Sequence, residues 1–169
     1  MTETCFALLE QIDYIIDQNE IQGIIPTATP PIGETPSSVS FKLKKSTTLN
    51  GKIYCRVWDT APDVPGSPAH TYGEMAANDL TTSYVKYTFS IGTHPLTATS
   101  HIGIEYDGTV NNACWMLGQS SPASDGTWWY YDGSIGNHGI PCPYFCYDAT
   151  PTPSTGGRLP PPPIVLGGL

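Results

Sequence analysis

From Ser38 to Ala149 apolar and polar residues alternate in short runs: SVSFKLKK, GKIYCRVWD, YVKYTFSI, HIGIEYDG, ACWMLG, TWWYYDG and PYFCYDA. Val39, Phe41 and Leu43 fall on one side of a two-residue period, with Ser40, Lys42 and Lys44 on the other. Ile53, Cys55 and Val57 alternate in the same way with Tyr54, Arg56 and Trp58. Tyr87, Phe89 and Ile91 alternate with Lys86, Thr88 and Ser90, and Ile102, Ile104 and Tyr106 with His101, Gly103 and Glu105. Successive side chains of a strand point to opposite faces, so this pattern predicts antiparallel strands buried on one side and wetted on the other. Asn50-Gly51, Asp107-Gly108, Asp125-Gly126 and Asp132-Gly133 supply the positive-φ positions that tight turns require. Seven or so strands at this spacing predict an all-β chain, an antiparallel β-sandwich over residues 38–149.

The flanks follow other patterns. In residues 3–19, Cys5, Leu8, Leu9, Ile12, Ile15 and Ile16 fall on one helical stripe, opposed by Glu3, Glu10, Asp13, Asp17 and Glu20. This predicts a short N-terminal amphipathic helix within residues 1–23, with Thr2 or Thr4 as its cap and Gly23 as its stop. A lone helix of that length is marginal in water, so its apolar stripe must dock on its own sandwich or on a neighbouring subunit. Residues 24–37 contain four prolines and read as a Pro-rich linker or edge segment. Residues 150–169 read as a Pro-rich C-terminal arm that ends in the apolar tip IVLGGL.

Composition narrows the function classes. The 169 residues make one domain, 13% are charged, and Gly and Pro number 17 each, which suits many turns and few long helices. The net charge of −8 argues against nucleic acid as a partner, because phosphate binding needs clustered Lys and Arg. No stretch is long and apolar enough to span a bilayer. MTETCFALLEQIDYIIDQNE lacks a basic leader region, so export relies on a segment already removed or release occurs without one, as for virion proteins.

Five cysteines leave at least one unpaired. In an extended segment Cys142 and Cys146 lie ~13 Å apart, too far for a mutual disulfide. Cys55 and Cys114 sit mid-strand as buried thiols, or pair across strands with Cys142 or Cys146, which implies an oxidising compartment.

Candidate chemistry is sparse. His138, Cys142 and Cys146 have ligand-like spacing, but alternating strand geometry and the intervening prolines do not set up a tetrahedron. Asp107, Asp125 and Asp132 each precede Gly, so turn chemistry accounts for them before Ca²⁺ does. His70, His94, His101 and His138 lack a partner acid at a diagnostic spacing, and no nucleophile-elbow, HExxH or phosphate-loop motif occurs. The expectation is a chain that is not an enzyme and uses no metal or cofactor. Trp128 and Tyr130 share one strand face and Trp129 and Tyr131 the other, which predicts one core pair and one exposed pair. An exposed Trp/Tyr pair suits either stacking on sugar rings, extended by Trp58 or Trp115, or a subunit interface.

The order SVSFKLKK…LNGKIYCRVWDT…TTSYVKYTFSI…HPLTATSHIGIEYDG…CWMLGQSS…DGTWWYYDG…PYFCYDA resembles a jelly-roll or Ig-like β-sandwich module. Such modules recur in secreted bacterial and archaeal surface proteins and in phage structural proteins. The resemblance covers roughly residues 38–149 and rests on strand cadence, LTATSHIGIEYDG and GTWWYYDG. It implies an extracellular adhesive or structural role and brings no catalytic residues with it. The chain departs from the pattern at its start. Where such modules open with an apolar strand, it has TATPPIGETPSS.

A missing strand leaves a groove of unpaired backbone groups that another segment must fill. The candidates are EIQGIIPT, with Ile21, Ile24 and Ile25, and PIVLGGL, with Ile164, Val165 and Leu166. The expectation is a structural subunit of an extracellular filament, surface or virion assembly. Identical copies would join head to tail by such donor-strand exchange, the chain's partner being itself. The alternative is a carbohydrate-binding or receptor-binding module using Trp128, Trp129, Tyr130 and Tyr131.

Overall fold

The computed structural model describes residues 3–5, 12–26, 32–60, 67–90, 92–119, 126–139 and 142–149. These form thirteen strands. They are β1 (Glu3–Cys5), β2 (Ile12–Ile16), β3 (Ile21–Pro26), β4 (Pro36–Lys45), β5 (Lys52–Trp58), β6 (His70–Ala76) and β7 (Val85–Phe89). Then follow β8 (His101–Tyr106), β9 (Cys114–Gln119), β10 (Gly126–Tyr131), β11 (Ile135–Gly139), β12 (Cys142–Pro143) and β13 (Phe145–Ala149). One 3-10 turn, Ala77–Asp79, follows β6. No helix among the described residues is long and apolar enough to cross a membrane.

The strands form two sheets, and every pairing is antiparallel. The first runs β1-β13-β4-β9-β12, with β2 added to β9 and β7 added to β4. The long strand β4 organises it. Residues 39–41 pair with both β13 and β7, and Leu43 pairs with both β9 and β7. β9 and β13 therefore share one flank of β4, and β7 takes the other. The second sheet runs β11-β10-β3-β8-β5-β6.

The sequence alternation fills the space between the sheets as expected. Val39, Phe41 and Leu43 face Ile53, Cys55, Val57, Ile102, Ile104 and Tyr106, all fully buried. Burying such side chains contributes about 1.5–3 kcal/mol each and is the main force holding the sheets together. Strand β8 departs from the one-face-wet pattern, since His101 and Glu105 on its other face are only 8% and 6% exposed. That outer face carries a second apolar layer, described below.

The N-terminal helix is not present among the described residues. β1, β2 and β3 occupy the described part of residues 1–23, and each belongs to a sheet. The physical reason lies in IDYII and IQGII, where β-branched isoleucines lose rotamer freedom in a helix and pack well on a pleated surface. Between them Asn19 adopts a positive φ of 60°, and Glu20 N–H donates to the Asp17 carbonyl at 3.0 Å, which closes a turn where a helix would continue. The isoleucine spacing fits a helical stripe and two short strands equally well, and the strands gain two sheet positions.

This same arm supplies a central strand of the second sheet. Strand β3 sits between β8 and β10, pairing Ile21–Ile24 with Glu105–Ile102 on one side and all six of its residues with β10 on the other. The Pro-rich segment 24–37 is accordingly split. Residues 24–26 end β3, residues 36–37 begin β4, and residues 27–31 lie outside the described region. The C-terminal arm, residues 150–169, also lies outside it.

Candidate functional site

Three places concentrate side chains beyond the needs of the main core. They are the β3 slot, the outer face of the second sheet, and the sheet end formed by two turns.

In the β3 slot, Ile24 points into the main core and Ile21 into the outer layer, both at 0% exposure, while Ile25 packs partly buried on the outer layer. Between them Gly23 is obligatory, because a Cβ there would strike the Ile102 carbonyl and lie 2.6 Å from Gly103 Cα. Both Ile102 and Gly103 meet it with backbone, which cannot swing away. Ile164, Val165 and Leu166, the other expected exchange residues, lie outside the described region.

The aromatic strand β10 is where the structure departs from expectation. Trp128 lies in the main core, and its ring centroid is 4.0 Å from that of Tyr14. Trp129 lies on the opposite face, yet it too is 0% exposed, and its neighbour Tyr131 is 9% exposed. Tyr130 is half-buried. No open Trp/Tyr platform forms on β10. Gly23 and Gly103, side by side on β3 and β8, leave a trough in which the Trp129 indole lies, with its Nε1–H donating to the Ile102 carbonyl at 3.3 Å. Trp58 meets Trp129 edge-on at 5.7 Å and His101 does so at 5.0 Å. Burial holds the His101 imidazole below the usual histidine range, although its Nδ1 bonds the Thr99 carbonyl at 2.8 Å.

The same face carries an ion pair between Arg56 and Glu105, with side chains 15% and 8% exposed. Arg56 also lies 4.1 Å above the Tyr54 ring. Trp58, which the sequence pattern offered as an extension of a sugar platform, is thus spent on packing. Trp115 is half-buried on the outer face of the first sheet, where Lys44 Nζ lies 5.5 Å from its ring and 4.3 Å from that of Tyr84. Lys44 is also bound to Asp13 at 2.8 Å.

The cysteines resolve in a way the spacing argument missed. Cys5 and Cys146 are disulfide-bonded, with Cα atoms 4.1 Å apart, and they are directly opposed in the β1–β13 register. Of the two readings for Cys55 and Cys114, the buried free thiol holds and the cross-strand pairing does not. Burial raises the Cys55 thiol well above its ordinary pKa and pushes that of Cys114 up to about 12, so neither supplies a thiolate. The signal that would have found the bond is the position of two cysteines near opposite ends of the chain, read without assuming a helix at Cys5. Glu3, Cys5 and Cys146 are grouped closely enough for a metal, but both sulfurs are already committed to each other.

The remaining candidates separate. His70 and His94 stack with ring centroids 5.7 Å apart, and His94 Nε2 bonds Asp59 at 2.7 Å, while His101 belongs to the Trp129 layer. His138 and Cys142 lie in β11 and β12, their side chains outside the description. Asp107 bonds the Lys52 amide at 2.5 Å and the Tyr54 hydroxyl at 3.0 Å, a turn-closing role. Asp125 lies outside the described residues.

Asp132 bonds the Ser134 amide and hydroxyl at 3.3 and 3.2 Å. Its turn faces residues 18–20, and together they border a cleft of about 450 Å³. Comparison with protein-family models, curated proteins and solved structures finds no match for this chain.

Proposed function

We propose that this chain is a structural subunit of an extracellular assembly, a surface appendage, coat or virion, whose copies join by exchanging the N-terminal arm. The observation that carries the reading is the position of β3. It closes the second sheet between β8 and β10, two strands remote from it in sequence, and completes both cores at once. Such a strand makes the same contacts whether it comes from its own chain or from a neighbour, which is the condition for strand exchange.

Residues 27–35, between β3 and β4, include Pro30 and Pro31 and reach about 30 Å when extended, enough to cross to an adjacent subunit. The Cys5–Cys146 bond fits an oxidising location outside the cell. Of the two terminal segments, the N-terminal one carries the reading, since its isoleucines already fit a slot of this fold.

The disulfide makes the exchange readable. If the arm passes to a neighbour, Cys5 bonds Cys146 of the next copy, and the assembly becomes a covalent ladder. The test uses a Cys142→Ser chain made under oxidising conditions, run on non-reducing gels and imaged by negative stain. Ladders that collapse on reduction, with regular assemblies in the images, are expected. Dispersed single particles that run only as monomer refute the exchange.

A further inference from the structure

The cleft at the sheet end is lined on one side by the arm of the proposed exchange, so its two halves come from one copy or, after exchange, from two. Gln18, Asn19 and Glu20 line it from the turn between β2 and β3, and Tyr131, Asp132 and Gly133 from the turn between β10 and β11. Both turns are fixed by their own bonds. Asn19 N–H donates to the Tyr106 carbonyl at 3.0 Å, and Asp17 N–H to Glu20 Oε2 at 2.9 Å. Asp132 Oδ1 accepts from Ser134. Each carboxylate thus commits one oxygen to its turn. Among the described residues Glu20 Oε1, Asp132 Oδ2 and the side-chain amides of Gln18 and Asn19 have no hydrogen-bond partner.

We propose that this cleft binds a saccharide unit that is neutral or bears an amine. Its volume of about 450 Å³ falls within the range of small-molecule sites. The Glu20 and Asp132 carboxylates, each anchored to its turn through one oxygen, offer fixed acceptors to adjacent hydroxyls, and the Gln18 and Asn19 amides add donors and acceptors beside them. Tyr131 adds an aromatic part to the lining.

Among the described residues no lysine or arginine lines the cleft, which disfavours a phosphate, nucleotide or acidic sugar. A bare cation fits less well, because the carboxylates are not gathered at metal-ligand spacing; among the described residues only Glu3, Cys5 and Cys146 are. Burial, then the charges of Asp17 and Asp132, push the Glu20 carboxyl above its ordinary range. A ligand that brings hydrogen-bond donors or an ammonium group relieves that crowding.

The test probes the full chain, fluorescently labelled, on an array of neutral, amino and sialylated glycans, with competition by free glucose, galactose, mannose and glucosamine. Neutral or amino glycans should retain the chain. Gln18→Ala, at an exposed position, and Asp132→Asn, which keeps its turn-closing oxygen, should each weaken retention about tenfold, the loss of one hydrogen bond to the ligand. Three results overturn the proposal: no retention on any neutral or amino glycan, retention unchanged in both variants, or retention only on sialylated glycans. A calcium chloride titration that protects the chain thermally while no sugar is retained assigns a cation site and also overturns it.

Discussion

Trp128 donates its indole N–H to Gln22 Oε1 at 2.7 Å, a bond made wholly inside the sandwich between residues 106 apart in sequence. The Gln22 amide nitrogen in turn donates to the Ile15 carbonyl at 3.2 Å. One side chain therefore ties β10 to β3 in the second sheet and reaches β2 in the first.

Gln22→Leu keeps the bulk but leaves the indole N–H without its acceptor and the Ile15 carbonyl without its donor. The variant should lose about 1–3 kcal/mol of stability, the cost of a stranded buried polar group. Urea unfolding followed by tryptophan fluorescence measures it, and an unchanged midpoint contradicts the role given to Gln22.

Gly23→Ala should be among the most damaging single-methyl changes in the chain. The added carbon meets the backbone of β8 and comes within 2.7 Å of Trp129 Nε1. The expected loss is about 3 kcal/mol or more, at the upper end for overpacking, because the neighbours are main chain. Soluble yield and melting temperature report it.

Removing the Cys5–Cys146 bond, by reduction or as Cys5→Ser with Cys146→Ser, should lower stability by about 2–5 kcal/mol. In the native protein Cys55 and Cys114 should resist iodoacetamide, since both are buried with raised thiol pKa values. Peptide mapping should find them labelled only after denaturation.

Glu20 gives a pH dependence of defined sign. Its carboxyl is held above the ordinary 4.5, first by burial and then by the nearby Asp17 and Asp132. The folded chain thus binds this proton more tightly than the unfolded one, so the contribution is full below 4.5 and is lost as pH rises through the folded value. Glu20→Gln, which retains an oxygen for the Asp17 amide, should raise the melting temperature by about 1 °C at pH 7 and give no gain below pH 4. A scan at the two pH values decides it.

Much of the sandwich was legible in the sequence because Val39, Phe41, Leu43, Ile53, Cys55, Val57, Ile102, Ile104 and Tyr106 obey a strict two-residue period against one core. The arm before residue 27 was not. Ile12, Ile15, Ile16, Ile21 and Ile24 are too few and too closely spaced for periodicity to separate a helix from short strands. The decision came from distant partners, Gly118 to Cys114 for β2 and Ile102 to Glu105 for β3. The burial of Trp129 was equally hidden, since it depends on two glycines from different strands becoming neighbours. The cleft joins residues 18–20 to 131–133, and no local motif marks a site assembled across that distance.

The bond between Cys5 and Cys146 also decides how the chain carries load. In a copy that keeps its own arm, a pull applied before residue 5 and after residue 146 runs from β1 to β13 through the sulfur bridge, so the strands between them bear none of the tension. In oxidising surroundings the domain is a short link that does not extend. Reduction would release 141 residues of hidden length, about 480 Å of slack when fully extended.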